Sequence, residues 1–154
     1  MRPKHAARAA FVCTALWCAT ASWGQTSGTA SPPPPDDALY QSLGGQTGLV
    51  TLMDDFMRRL LADPQMNPFF RDVDQLHVKA QLVAQFCEVS GGPCQRKGPD
   101  MKKAHAGFDI DKGSFNALVE VLQRTMDAQG IAFAMQNRLL ARLAPMHRDI
   151  INLK

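Results

Sequence analysis

One histidine of this chain stands in a sequence context that suits metal ligation. His105 lies in the stretch 100–108, Asp-Met-Lys-Lys-Ala-His-Ala-Gly-Phe, between a glycine- and proline-rich loop and a long amphipathic segment. We expect the imidazole to lie on a short helical turn. A single imidazole can ligate a metal whose other ligands belong to a cofactor, and haem, which supplies four nitrogens, is the commonest such group. Spacing alone does not establish this chemistry, so the surrounding elements have to build a pocket for it.

The first 24 residues are typical of a secretory leader. Arg2, Lys4 and Arg8 precede an apolar run from 11 to 23, and small residues near 19–24 offer cleavage sites. The run is shorter than the ~20 apolar residues of a membrane span. We therefore expect export, into the periplasm or an equivalent space, and no stable span in the mature form. An uncleaved anchor is the alternative.

A linker follows the leader, and the charge balance changes once the leader is set aside. Residues 25–38 are rich in Ser, Thr, Gly and Pro, with four prolines at 32–35, which predicts a stiff extended linker before a domain at 39–154.

The chain has 17 basic and 14 acidic residues, but three of the basic ones lie in the first 30, which have no acidic residue. The balanced remainder gives no support for nucleic-acid or membrane-surface binding.

Two of the four cysteines remain beyond the leader. Cys87 and Cys94 are seven residues apart and flank the Gly91-Gly92-Pro93 sequence. In an oxidising compartment such a pair can form a disulfide, and two free thiols are the alternative. Two cysteines without a nearby third ligand do not make a zinc site.

The remaining sequence has helical periodicity and predicts an all-α domain of about 115 residues. A first long helix ends at Asp63-Pro64, and a turn with two aromatics follows at 67–70. Asp74 is expected to cap a second long helix, whose predicted inner face comprises Val78, Leu82, Val83 and Phe86.

Two further long helices follow the His105 turn, for which Gly107 is the expected stop. The first runs from about Ser114 to Gln129 and is expected to bury Phe115, Leu118, Val119, Leu122 and Met126. The last contains Pro145, which should kink or divide it.

In this order, the segments resemble the truncated haemoglobins of the group I, or N-type, branch, from about Leu39 to Asn152. The matching segments are Leu39-Tyr40, Leu43-Gly44-Gly45, Asp55-Phe56, Leu61-Ala62-Asp63-Pro64, Pro68-Phe69-Phe70, Ser90-Gly91-Gly92-Pro93, Met101-Lys102, Ala104-His105-Ala106-Gly107 and Leu143-Ala144-Pro145. The chain also resembles an exported subset with a Cys–Gly-Gly-Pro-Cys loop. The resemblance implies a two-over-two helical sandwich around haem b, with the glycine motifs at sharp bends where positive φ is needed.

The resemblance also assigns roles on one side of the haem. His105 matches the proximal iron ligand, whose other ring nitrogen is expected to donate to a backbone carbonyl. Phe70 matches the aromatic that packs against the haem face, and Met101 is expected beneath the haem or as core filler. Lys102 or Lys103 would pair with a propionate or be solvated.

On the opposite, distal side the chain departs from its relatives. Many group I members have a tyrosine after the Asp-Phe pair and a glutamine on the facing helix, which hydrogen-bond bound oxygen. Here the first position is Met57, and the facing helix presents Val78, Leu82 and Phe86. A donor there is worth ~1–3 kcal/mol to bound dioxygen. Without it, dioxygen should dissociate faster and the iron oxidise more readily, whereas carbon monoxide and nitric oxide depend less on a donor.

Other side chains leave alternatives open on this side. Met57, or His77 after a helix rotation, could occupy the sixth iron position. Gln81 and Gln85 reach into the pocket or point to solvent. Tyr40, the only tyrosine in the chain, lies in the wrong segment to replace the missing donor.

The sequence favours a haem protein that reversibly binds a diatomic gas, either oxygen or, alternatively, nitric oxide or carbon monoxide. A haem redox enzyme, such as a nitric oxide dioxygenase or peroxidase, and a six-coordinate electron-transfer or sensor module are the alternatives. No residue motif identifies an electron donor. His147 is expected at the surface, and no hydrolase or phosphate-loop motif occurs.

Overall fold

The computed structural model describes residues 36–153. The leader expected at 1–24 lies outside these residues, as does the linker expected at 25–38 except for its last three positions. From 36 to 153 the chain forms helices and no strand, which confirms the all-α prediction. Within that range no helix has the length and apolar character that a membrane crossing requires.

Eight α-helices and one 3-10 turn are formed by the described residues. Their bounds are α1 Ala38–Ser42, α2 Gly45–Ala62, α3 Asn67–Phe70, α4 Gln75–Val89, α5 Met101–Ala104, α6 Lys112–Ala128, α7 Phe133–Leu143, the 3-10 turn Ala144–Met146 and α8 His147–Ile150. The turn predicted at 67–70 is the short helix α3, and α6 begins two residues before the expected Ser114. Pro145 divides the last helix, because its ring is incompatible with a continuous helix interior.

The four long helices pack as two pairs, α2 with α4 and α6 with α7. The pairs meet where α2 contacts α6 and where α4 contacts α7, which gives the two-over-two arrangement. Fully buried side chains on α2, α6 and α7 form the centre of the core: Leu49, Leu52, Met53, Leu60, Met126 and Leu139. Of the residues expected to be buried on α6, Phe115, Leu118 and Val119 are only half-buried. They line a cavity instead of filling the core.

Aspartate caps fix the starts of three helices around this cavity. Asp74 accepts from the backbone N–H of His77 (3.0 Å), which confirms the predicted cap of α4. Asp100 accepts from the N–H of Lys103 (2.8 Å) at the start of α5. Asp111 does the same for Ser114 (2.6 Å) at the start of α6. Each cap satisfies an N–H that the first turn of a helix leaves without a partner.

A disulfide closes the end of α4. Cys87 and Cys94 are bonded, with their Cα atoms 5.7 Å apart. Gly91 has φ +88°, a left-handed conformation that favours glycine, but Gly92 is required for a different reason. A Cβ on Gly92 would lie 2.6 Å from the Tyr40 ring and 2.7 Å from Cys87 Sγ. The expected positive φ of this glycine motif is thus found at Gly91, whereas Gly92 lets α1 pack against the disulfide.

Candidate functional site

An elongated, mostly apolar cavity lies between α4, α5 and α6. Its larger part, about 550 Å³, is lined from α2, α4, α5, α6, α7 and the C-terminal turns. A smaller part, about 180 Å³, extends past Phe69 and Phe108. The two parts share the lining residues Phe70, Val78, His105, Phe115, Leu118 and Ile150. Volume and lining are those of a cofactor pocket.

His105 is positioned by backbone hydrogen bonds at the end of α5. It follows Ala104 as the C-terminal residue of the turn, and its N–H donates to the Met101 carbonyl (3.1 Å). Its Nδ1 lies 2.8 Å from the same carbonyl oxygen. Because a carbonyl oxygen only accepts, Nδ1 carries a hydrogen, which is the tautomer that a metal ligand needs: in the neutral form of such a ring Nε2 has the lone pair. The half-buried ring thus offers a metal-ligating nitrogen in the cavity wall.

Asn152 holds the His105 turn from outside. Its Nδ2 donates to the His105 carbonyl (2.7 Å), and its Oδ1 accepts from the N–H of Ile110 (2.7 Å). Its own N–H donates to the Ile110 carbonyl (3.0 Å). No local pattern in the sequence points to this residue, because it lies 47 positions after His105.

The wall facing the cavity from α4 is apolar except at one residue. Val78, Leu82 and Phe86 line the cavity, and so does Gln85. Gln85 is only 6% exposed, so it does not point to solvent. Gln81 is half-buried and does not line the cavity; its Oε1 lies beside Gly98. The structure thus separates two glutamines that the sequence could not tell apart.

The two residues considered as internal iron ligands do not line this cavity. Met57 is buried, with 3% exposure, but its neighbour Phe56 occupies the cavity wall. His77 is exposed on the first turn of α4. Met57 therefore does not line the cavity, and His77 would need the helix rotation that was expected for it.

The other predicted pocket residues lie at the cavity or its rim. Phe70 lines both parts of the cavity, and Met101 lines the larger part. Lys102 and Lys103 are exposed on α5, and Lys103 Nζ is 3.9 Å from Asp100 Oδ2. At such exposure this ion pair contributes little to stability. His147 is exposed, as expected, and its ring centre lies 6.1 Å from that of Phe115, with the two rings edge to face.

The donor set agrees with haem rather than with a metal held by protein alone. Among the described residues there is no group of three or more His, Cys, Asp or Glu side chains that could hold a metal ion. One histidine nitrogen on an apolar wall suits an iron whose other ligands come from a porphyrin. The residues present therefore fit haem b.

Comparison with known proteins agrees with this geometry. Residues 38–152 match the family model described as "Bacterial-like globin". The group 1 truncated hemoglobin GlbN of Synechocystis sp. is 32% identical over 120 residues, covering 74% of this chain and 97% of the relative. The GlbN of Nostoc commune is 29% identical over 114 residues, with the same coverage.

Solved structures give the same result for the fold. The crystal structure of the truncated hemoglobin from Tetrahymena pyriformis in its Fe(III) form superposes with a TM-score of 0.71 at 27% sequence identity. The match covers 74% of this chain and 97% of that chain. With the family model spanning residues 38–152 and the helices in this arrangement, the chain belongs to the bacterial-like globins and is similar to their group 1 truncated haemoglobins.

Proposed function

We propose that this globin binds haem b in the cavity between α4, α5 and α6, with His105 Nε2 as the protein ligand to iron, and reversibly binds a diatomic gas there. The observation that carries the proposal is the His105 ring. It lies in an apolar cavity wall, and Nδ1 is engaged by the Met101 carbonyl, which leaves Nε2 free. When bound, haem supplies the iron to which a gas coordinates.

The chain itself contributes orientation and exclusion of water. The Met101 carbonyl fixes the tautomer and plane of the His105 ring, and a hydrogen bond of this kind also raises the basicity of the ligating nitrogen. Phe70, Phe115 and Leu118 are shared by both parts of the cavity and keep it apolar. These apolar side chains would limit the access of water to bound haem.

Gas binding is better supported than a dedicated redox enzyme. General acid–base chemistry needs a titratable group positioned at the reacting atoms. On the α4 wall the polar group is the Gln85 amide, which does not titrate, and Glu120 at the cavity rim is exposed. Six-coordinate iron has no support from Met57 or His77, since neither lines the cavity.

The absorption spectrum of the haem-reconstituted full chain tests the proposal. We expect a Soret band and a ferrous spectrum that changes reversibly with carbon monoxide or dioxygen. His105→Ala should abolish the five-coordinate ferrous spectrum, because it removes the ligating nitrogen. His77→Ala is the matched control, since this exposed histidine precedes the cavity residue Val78 and should leave the spectrum unchanged. Absence of a Soret band in the unaltered chain, or unchanged bands in His105→Ala, would contradict the proposal.

We also propose that the protein acts after export to the periplasm or an equivalent space. The leader-like residues 1–24 support this location. The Cys87–Cys94 disulfide is compatible with an oxidising compartment. The N-terminal residue of the protein isolated from its host, read by mass spectrometry, decides the matter. A start near 20–25 is expected, and an intact Met1 in a cytosolic fraction would refute export.

A further inference from the structure

We propose that Cys94 is the sulfur at which an incoming thiol opens the Cys87–Cys94 disulfide, and that a groove between α2 and α4 seats the peptide that carries this thiol. The inference goes beyond the proposed gas binding and does not depend on haem. It assigns a modification site and a kind of partner, a cysteine on an extended peptide, to a groove whose lining residues are distinct from those of the haem cavity.

The two sulfurs of the bridge differ in access. Cys87 is fully buried, and the backbone of Gly92 covers its Sγ so closely that a Cβ there would lie 2.7 Å from the sulfur. Cys94 is half-buried and lines a groove of about 350 Å³, which Cys87 does not line. Thiol–disulfide exchange requires the thiolate to reach the sulfur that it attacks. Cys94 is therefore the sulfur open to attack.

The groove has apolar walls and balanced charge. Its apolar lining comprises Val50, Met53, Ala80, Val83 and Ala84. Its two charged residues are paired across the helices, with Lys79 Nζ 2.6 Å from Asp54 Oδ1. The groove thus offers apolar contact and no net charge, so complementarity favours an uncharged peptide over an ionic ligand.

Gln46 lies beside the sulfur of Cys94 and suits a peptide group. It is exposed on the first turn of α2, and its Oε1 is 3.8 Å from Cys94 Sγ, which as a disulfide sulfur has no hydrogen to donate. A glutamine amide has a donor and an acceptor, the same pair that a peptide group presents. A peptide whose cysteine reaches Cys94 can therefore hydrogen-bond Gln46 through its backbone, which a simple thiol cannot do.

The exchange step forms one sulfur–sulfur bond and breaks another. The peptide thiol loses its proton to solvent, and the thiolate attacks Cys94 Sγ and bonds to it. The Cys87–Cys94 bond breaks, its electron pair goes to Cys87 Sγ, and Cys87 takes up a proton. The products are a mixed disulfide on Cys94 and a thiol on Cys87. This step frees the segment that leads from Cys94 to Asp100, the cap of α5, and so connects thiol chemistry with the His105 turn.

Site-resolved mass spectrometry of the full chain tests which sulfur is attacked. The protein is treated with the blocked peptide acetyl-Gly-Cys-Gly-amide and quenched with acid, and its free thiols are alkylated. Cleavage after Glu88 then separates the two cysteines. We expect the peptide on Cys94 and the alkyl group on Cys87, with a preference of at least about tenfold. A peptide adduct mainly on Cys87, or equal amounts on both cysteines, would overturn the assignment.

Exchange rates test the groove. Ala80 is exposed and lines the groove, so Ala80→Trp should fill it without loss of core packing. We expect exchange with the peptide to slow about tenfold, and exchange with 2-mercaptoethanol to change by less than about threefold. Ala134→Trp is the matched control, because Ala134 is exposed on α7 and does not line the groove, and its rates should equal those of the unaltered chain.

The outcomes separate this inference from the proposed function. A chain that exchanges as expected but takes up no haem would contradict the proposed function and leave the thiol site intact. Peptide exchange at the unaltered rate in Ala80→Trp, or equal slowing of both thiols, would overturn the docking of a peptide in the groove.

Discussion

The two walls of the cavity are built by different means. The His105 wall is held by three hydrogen bonds. Asp100 caps α5, the Met101 carbonyl accepts from His105 Nδ1, and the Asn152 side chain donates to the His105 carbonyl. The α4 wall is a row of apolar side chains interrupted by one amide, Gln85, whose partner is a thioether. The first wall thus depends on hydrogen bonds to backbone groups, and the second depends on which side chains line it. We therefore expect changes on the first wall to affect haem retention and changes on the second to affect ligand preference.

The disulfide joins the two walls, so its removal should give the largest effect on the structure. It closes the loop between the end of α4 and the segment that leads to α5. On the chain-entropy model, a loop of this size contributes roughly 2–3 kcal/mol to the free energy of unfolding. Reduction should therefore lower the urea midpoint and speed transfer of haem to an excess of apomyoglobin.

The matched variant for this measurement is Cys87→Ala with Cys94→Ala, whose rate of haem transfer should not change with reductant. Cys87 is fully buried, so its alanine variant also loses packing and can be less stable than the reduced chain. Haem transfer at the same rate with and without reductant in the unaltered chain would show that the bridge does not tie the walls together.

Asn152 offers a smaller change, confined to the His105 wall. Asn152→Ala removes both side-chain hydrogen bonds, each worth ~0.5–1.5 kcal/mol, and should accelerate haem loss and broaden or shift the iron–histidine vibration in resonance Raman spectra. Asn152→Asp keeps the acceptor for the Ile110 N–H but loses the donor to the His105 carbonyl. If the donor contributes, the rate of haem loss in Asn152→Asp should lie between those of the unaltered chain and Asn152→Ala.

Dioxygen and carbon monoxide dissociation rates separate the two walls in this experiment. They should change in the same proportion in Asn152→Ala, because the substitution leaves the α4 wall untouched. An iron–histidine vibration identical to that of the unaltered chain would show that Asn152 supports the C-terminal tail and not the ligand.

The sequence predicts most of the His105 wall and, on the α4 wall, both the cap at Asp74 and the lining residues Val78, Leu82 and Phe86. Periodicity, the Asp74 cap and the break at Pro145 are local signals, and the structure agrees with each. The turn that presents His105 is local as well, since Asp100, Met101 and His105 lie within one short segment. Asn152 reaches that turn from 47 residues away, and no periodicity encodes such a contact.

Whether Met57, Gln81 and Gln85 face the cavity could not be derived in the same way. A helical repeat shows which residues share a face, but it does not show how far that face turns toward a cavity. The rotation of α2 and α4 decides that Phe56 lines the cavity where Met57 was expected, and that Gln85 lines it while Gln81 does not. Packing of four helices sets these rotations, and the sequence of any one helix does not contain them.

The smallest predicted effect concerns Asp111, which anchors the His105 wall at the start of α6. The backbone N–H of Ser114, followed by its hydroxyl, favours the charged carboxylate and lowers the pKa of Asp111 below its usual value of 3.8. A group with a lowered folded-state pKa stabilises the fold above its unfolded pKa, and this contribution is lost as pH falls through the folded value. Asp111→Asn keeps a neutral cap of the same shape. The gap in urea midpoint between the two proteins should therefore be present at pH 6 and close as pH falls below about 3.8. A gap of equal size at pH 6 and pH 3 would mean that the carboxylate charge contributes nothing to this helix start, and that the cap acts through its shape alone.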